Sequence, residues 1–383
     1  MRRYKALTWD HPRGYNALAV AAARLDPQRD GLVIEWDKQP LEGFESHPIA
    51  DLCSRFDLVV LDHPHVGEAV AAGCIIPLED VFGREVIAEI EGATIGPCLS
   101  SYRFAGRHWA LPLDAATQVT ALRPDLLDGP IPATWDEVAA LSRRSGKVAL
   151  SLAGPHAILS YLSIAAALGE PPAERDPDIL VSAETGKRVY ELLAELAALS
   201  PASVYEKNPI GILGHMAANE DVILCPLIYG YVNYAAPKSG RALRFSDAPR
   251  AKRGGRPGST LGGTGIGISR RCEISPELKR HLLWLMGEEA QRVFIPAHDG
   301  QPSRRSAWQD ETVNAAWGDF YRGTSATLEA AYVRPRHAGY IDFQTKASAY
   351  LRDALSTREA AHRAVETIQQ LYSESRPDKG GER

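Results

Sequence analysis

The chain is 383 residues long, 45% hydrophobic and 24% charged, with a formal net charge of -5. It can bury a sizeable core and exceeds the ~100–200 residues of one ordinary domain, so two domains or lobes are expected. The acidic balance excludes the basic footprint of a generic nucleic-acid binder, and no apolar run nears the ~20 residues needed to cross a bilayer. The five cysteines, Cys53, Cys74, Cys98, Cys225 and Cys272, form no Cys-x-x-Cys pair and sit among apolar neighbours. That spacing predicts buried thiols rather than a disulfide framework or a zinc knuckle. The first ten residues carry charge without an apolar stretch, so no export signal is expected.

In chain order, Lys5–Thr8 reads as a strand and Leu18–Leu25 as a helix. Leu32–Trp36 is a second strand, and Phe56–Leu61, nearly all apolar, a third strand buried on both faces of a parallel sheet. This alternation predicts an open α/β sheet. Trp109–Asp114 and Val119–Arg123 read as extended segments, and Thr134-Trp135-Asp136-Glu137 is a capping box opening a helix towards Arg143. Lys147–Leu152 reads as a short strand and Ile158–Leu168 as an apolar helix. Val189, Leu192, Leu193, Leu196 and Leu199 make one helical stripe, and Asp221–Ile228 is another buried strand. A second α/β unit therefore spans about 115 to 260. Arg241 to Arg256, with six basic residues against one acid, is expected to be a mobile surface loop. A glycine-rich strand follows over Ser259–Ser269. Ser275-Pro276 caps a helix carrying Leu278, Leu282, Leu285, Met286 and Val293. Ser356-Thr357-Arg358-Glu359 reads as a capping box for a last helix with Ala361, Val365, Ile368 and Tyr372, ahead of a polar tail.

Asp10-His11-Pro12 follows the first strand and Asp62-His63-Pro64 the third. In a sheet of order 2-1-3 those strands are neighbours, so both loops reach the edge where open α/β sheets bind ligands. Two Asp–His pairs with His65 nearby also allow a metal site, and with it a metal-dependent hydrolase, although no fixed ligand spacing supports one. Gly262-Gly263-Thr264-Gly265-Ile266-Gly267 lacks the Lys-Ser/Thr of a phosphate loop and fits close backbone approach or a chain crossing instead. No nucleophile elbow and no Cys–His pairing is evident, so catalytic signals are weak. Tyr229-Gly230-Tyr231-Val232-Asn233-Tyr234 follows a buried strand at the expected ligand edge, where aromatic faces suit sugar rings. Trp9, Trp109, Arg304 and Arg334 divide between packing and ligand contact.

Several segments resemble the family 1 extracellular solute-binding proteins of sugar and glycerol-phosphate-type ABC importers. They are Phe56–Asp62 with Gly73–Leu78, Gly106–Asp114, Arg123–Leu127 with Pro132–Glu137, Gly262–Ser269, Gln291–Phe294 and Gly300–Arg304, in the family's order across nearly the whole chain. Arg123 stands where that family carries an aromatic residue. The resemblance implies an α/β fold of the type II periplasmic-binding-protein kind, with two α/β lobes, a hinge and an interlobe ligand cleft. The expected first lobe is 1–113 with 262–310, the second 114–261 with 311–375, and 376–383 a disordered tail. The implied function is capture of a small polar ligand (a sugar, polyol or acidic derivative) for an ABC transporter membrane permease. The protein is then a monomer in the periplasm with no cofactor, no metal and no nucleic acid partner. A cytoplasmic ligand sensor on the same scaffold is the other non-enzymatic reading. Expected ligand contacts are Trp9, Asp10, His11, Arg13, Asp62 and His63 in the first lobe, Asp114 near the hinge, and Tyr229 and Tyr231 in the second. Gly263, Thr264, Gln301, Ser303 and Arg304 follow after the return crossing. Arg13, Arg304 and Arg334 suit a ligand with an acidic group, whereas Asp10, Asp62, Asn233 and Tyr231 suit a neutral sugar; with both sets present, the expected ligand is a sugar or polyol carrying an acidic group.

Overall fold

The computed structural model describes residues 1–237 and 240–376. The chain divides into two compact units: Met1–Ala116 with Gly262–Ala315 and Arg336–Ala338, and Thr117–Leu261 with Ala316–Pro335 and Gly339–Arg383. The expected tail 376–383 lies outside the described residues from position 377 onward.

The first unit is built on the strands β1 (Arg2–Trp9), β2 (Leu32–Gln39) and β3 (Leu58–Leu61), in the order β2-β1-β3. β2 and β3 both run parallel to β1, and every residue of β3 is buried, as its apolar run requires. A two-stranded hairpin, β4 (Arg103–Phe104) with β5 (Arg107–His108), precedes the long strand β6 (Ala110–Leu122). The two extended segments expected over 109–123 are thus one continuous strand with all 13 residues buried. Residues 110–116 of it belong to the first unit and 117–122 to the second.

In the second unit, β6 is flanked by β7 (Leu224–Tyr229) and β8 (Arg244–Ser246), both antiparallel to it. The helix Trp135–Ser145 begins with the expected capping box: the Thr134 hydroxyl accepts from the Glu137 amide, while the Glu137 carboxylate accepts from that of Thr134. All twelve residues of the helix His156–Ala167 are buried in this unit's core, beside Val189, Leu193 and Leu196 of the helix Ala183–Leu199. At about 1.5–3 kcal/mol per fully buried large apolar side chain, this packing outweighs any propensity term. Arg123 is fully buried, paired with Asp125 at 2.6 Å and donating to the carbonyls of Met216 and Asn219. Its guanidinium closes the C-terminal end of the helix Pro209–Ala218.

The strand β9 (Leu261–Ile268) returns the chain and pairs antiparallel with β3, Leu61 opposite Gly265 and Leu58 opposite Ile268. Its glycines admit close neighbours: a Cβ at Gly265 would meet the Tyr102 ring at 2.7 Å. At Gly263, φ is +87° and a Cβ would lie 2.3 Å from the Asp114 carbonyl oxygen.

Four local expectations change. Lys147–Leu152 forms no strand; Val148 makes a single bridge to Leu224. The 241–256 segment is anchored by β8, with Phe245 and Ala248 buried and Arg250 donating to the Gly255 carbonyl at 2.9 Å. Val293 is 59% exposed, because the helix capped by Ser275 ends at Met286 and a π-helical turn, Ala290–Phe294, follows. Ser356 and Thr357 end the helix Tyr340–Thr357, with Arg358 left-handed at φ 56°, so they open nothing. The last helix, Ala361–Ser375, starts without a side-chain cap but buries Ala364, Val365, Ile368 and Tyr372. Cys53, Cys98, Cys225 and Cys272 are buried and Cys74 half-buried; burial pushes the Cys225 and Cys272 thiols up to about 12.

Candidate functional site

The C-terminal ends of β1 and β3 lie side by side because the strands pair directly and in parallel. Trp9 ends β1 and is 2% exposed. The His11 ring stacks on its indole at 5.1 Å and 7°, Phe44 lies at 6.0 Å, and the Arg13 guanidinium sits 5.3 Å over it. Gly14 makes room for the ring, since a Cβ there would lie 2.1 Å from the indole nitrogen. His11 is the N-cap of the helix Pro12–Ala23, its Nδ1 accepting from the Arg13 amide at 3.1 Å. Burial, helped by the Arg13 charge, lowers its pKa to about 3, so the imidazole is neutral.

Arg13 holds Asp114 through two bonds, Nε to Oδ1 at 2.9 Å and an Nη to Oδ2 at 2.7 Å. Both side chains are almost fully buried. Asp10 is exposed and pairs with Lys38 at 2.7 Å. Asp62 accepts from the His63 amide at 2.8 Å, and the buried His63 ring meets Tyr102 edge-on at 6.4 Å. His65 instead faces Glu68 at 3.8 Å. The two Asp-His-Pro loops therefore spend their carboxylates on separate partners. Among the described residues no group of three or more His, Cys, Asp or Glu is placed to hold a metal ion.

The Gly300–Arg304 segment runs against the start of β6. Gln301 donates to the Ala115 carbonyl at 3.0 Å and accepts from the Ala115 amide through its own carbonyl at 2.8 Å. The Ser303 hydroxyl donates to Pro112, and the amides of Ser303 and Arg304 share the buried Gln291 side-chain oxygen at 2.7 and 3.1 Å. Arg304 turns to Glu288 at 2.5 Å and to the Met286 carbonyl at 3.2 Å. Thr264, 3% exposed, keeps a hydroxyl with no hydrogen-bond partner among the described residues. Arg13, Asp114, Gly263, Gln301 and Ser303 thus gather at one place in the first unit, with Arg13 also over Trp9. Gln301, Ser303 and Arg304 hold backbone there.

In the second unit, Tyr229 ends β7 with its hydroxyl 3.4 Å from the Leu261 carbonyl and its ring edge-on to His156 at 5.8 Å. Tyr231 is 4% exposed; Gly230 between them lies against Phe320, which a Cβ would approach to 2.8 Å. Burial, then the Arg334 charge, brings His156 down to about 3. Arg334 is itself buried and donates to Gln344 at 2.9 Å and to the Leu261 carbonyl at 3.2 Å. His156 and Gln344 do not stand out in the sequence, and Gln291 does so only as the start of the Gln291–Phe294 segment. A lone polar residue within an apolar stretch, as in Pro155-His156-Ala157, is the signal that marks His156.

No protein-family profile and no curated protein matches the chain. Solved structures do. One is an ABC transporter solute binding protein from Agrobacterium radiobacter K84 in complex with ribitol, with 20% identity, 97% of this chain and 98% of that one covered, and a TM-score of 0.80. Another is maltose-bound MalE3 of T. maritima, with 17% identity, 98% and 100% coverage and TM-score 0.80. A third is an ABC transporter solute binding protein from Agrobacterium vitis S4 with bound D-mannitol, with 15% identity, 98% of both chains covered and TM-score 0.73. The fold is that of these MalE-like solute-binding proteins, the type II periplasmic-binding-protein architecture.

Proposed function

We propose that the protein is a solute-binding protein that captures a small, uncharged polyhydroxylated ligand, a sugar or polyol, and delivers it to an ABC transporter permease. The fold supports this reading over nearly its whole length, since its structural neighbours are binding proteins carrying ribitol, maltose and D-mannitol. The observation that carries the ligand class is the fate of the three arginines. Arg13 is spent on Asp114, Arg304 on Glu288, and Arg334 on Gln344 and a carbonyl. An acidic ligand would compete with those partners, whereas a neutral one needs aromatic faces and isolated hydrogen-bonding groups. Trp9, Tyr229 and Tyr231 supply aromatic rings and the Thr264 hydroxyl the isolated group. The contacts of this reading are Trp9, His11, Asp62, His63, Gly263 and Thr264 from the first unit and Tyr229 and Tyr231 from the second, with Arg13 beside Trp9 and bonded to Asp114. We place the protein in the periplasm, with two lobes that close on the ligand by a hinge motion and no chemical step.

The test is a thermal-shift panel of ribitol, mannitol, tagatose and maltose against phosphate, citrate and gluconate, followed by calorimetry and small-angle scattering on any hit. A neutral polyol or sugar should raise Tm, since ligand at 100 times Kd adds about 2.7 kcal/mol, and should shrink the radius of gyration. A panel in which only the anions stabilise the protein overturns the ligand class.

A further inference from the structure

The helices Pro12–Ala23 and Pro276–Met286 enclose a second concavity within the first unit. It sits at the C-terminal end of the first of these helices, whose N-cap is His11. Twelve residues at ~1.5 Å each put it about 18 Å along that helix from the site above. Its volume is about 440 Å³, within the ~300–1,000 Å³ range of small-molecule sites.

Trp284 and His281 are the flat groups of its lining, and Phe294 backs Trp284 from outside that lining. Trp284 packs on Phe294 at 5.1 Å and on His281 at 6.0 Å, and the Arg24 guanidinium lies 4.4 Å over the Phe294 ring. Leu25 and Leu32 add aliphatic surface to the lining. His281 is 7% exposed, and its Nε2 has no hydrogen-bond partner among the described residues. Burial lowers its pKa to about 4, so it brings no charge at neutral pH. At the rim, Arg29 is matched by Asp30 at 2.8 Å and Arg280 by Glu277 at 3.2 Å. Arg24 has no carboxylate partner among the described residues, which leaves one uncompensated positive charge in the lining that also holds Trp284.

We propose that this pocket is a binding site for a small planar aromatic carboxylate, its ring laid against Trp284 and its carboxylate paired with Arg24. Offset stacking and aliphatic contact hold the ring, and a charge-assisted guanidinium–carboxylate bond fixes its direction. The buried His281 nitrogen gives a polar substituent on the ring a partner. The site stands independently of the sugar reading, since it shares none of that reading's ligand contacts.

Ligand-observed NMR titrations of the full chain with benzoate, benzyl alcohol and cyclohexanecarboxylate test it. Benzoate should bind at least tenfold more tightly than either analogue. Arg24→Gln, at an exposed position, should keep the parent Tm and weaken benzoate at least tenfold, and Trp284→Leu should weaken it further. No benzoate binding at millimolar concentration overturns the site. Benzyl alcohol binding as well as benzoate overturns the role of the charge, as does benzoate binding unchanged by Arg24→Gln. Equal binding of cyclohexanecarboxylate overturns the stacking.

Discussion

Removing the Asp114 carboxylate should strand a guanidinium in the interior of the first unit. Arg13 and Asp114 are joined by two bonds of 2.9 and 2.7 Å, and their side chains are only 5% and 3% exposed. Breaking one half of such a pair costs about 3–5 kcal/mol, because the remaining charge stays buried without its counter-ion. In a unit of about 170 residues, each kcal/mol moves Tm by roughly 2–4 °C, so Asp114→Ala should lower it by about 6–20 °C. Asp114→Asn keeps the shape and one acceptor and should lose less, about 1.5–3 kcal/mol. The pair itself has a heavy desolvation cost, so Arg13→Met with Asp114→Leu should recover most of the loss. Urea unfolding of the three variants, followed by calorimetric scanning, measures each term. A cost below about 1 kcal/mol for Asp114→Ala, the value of an exposed pair, would refute the claim that the Arg13 charge depends on the Asp114 carboxylate. So would a double variant no more stable than the single.

Arg304→Ala should change sugar or polyol affinity less than twofold by calorimetry, since Arg304 already serves Glu288 and Met286; a tenfold loss would return it to the ligand. Gly263→Ala should cut stability by at least about 1–3 kcal/mol in the same urea assay, because it combines a left-handed backbone with a contact at 2.3 Å to the Asp114 carbonyl. Stability should also fall as the pH drops below about 6.5 towards 4. His11, His156 and His281 have folded-state pKa values lowered from 6.5 to about 3, 3 and 4. In that window the unfolded chain binds protons that the folded one refuses, so each histidine contributes a slope of up to about 1.4 kcal/mol per pH unit. Replacing His281 by Phe should flatten its share of the slope in unfolding curves at pH 7, 6 and 5, and an unchanged slope would count against its burial as the cause.

The strands of the first unit were legible because β3 is apolar throughout, as burial on both sheet faces imposes, and because Asp and Pro break β1 and β3 at their ends. The helix Trp135–Ser145 was legible for the same local reason, its capping box lying within four residues. Local chemistry misleads where the same residues serve the other end of a helix, as at Ser356 and Thr357, the Thr357 hydroxyl donating back to the Asp353 carbonyl. Partners distant in sequence were hidden. Arg13 and Asp114 are 101 positions apart, and nothing near Arg304 announces that Glu288 will take its charge. The three arginines look alike in the sequence, and only their placed partners, Asp114, Glu288 and Gln344, set them apart as already engaged. His156 and Gln344 are not legible because a single buried polar side chain has no period.

The order in which the chain supplies its parts also sets a schedule for its synthesis. The first unit needs β9 beside β3, yet Leu61 and Leu261 are separated by the whole of the second unit's central segment. At ~5–20 residues per second, a ribosome makes those ~200 residues in about 10–40 s. Throughout that interval, one edge of the four-residue apolar strand Leu58–Leu61 has no partner. An unpaired apolar edge is a template for other chains, so the nascent protein passes through a window in which it is sticky before it is complete. A fragment ending near residue 116 should stay in that state, and expression with slow translation over 117–260 should lengthen it.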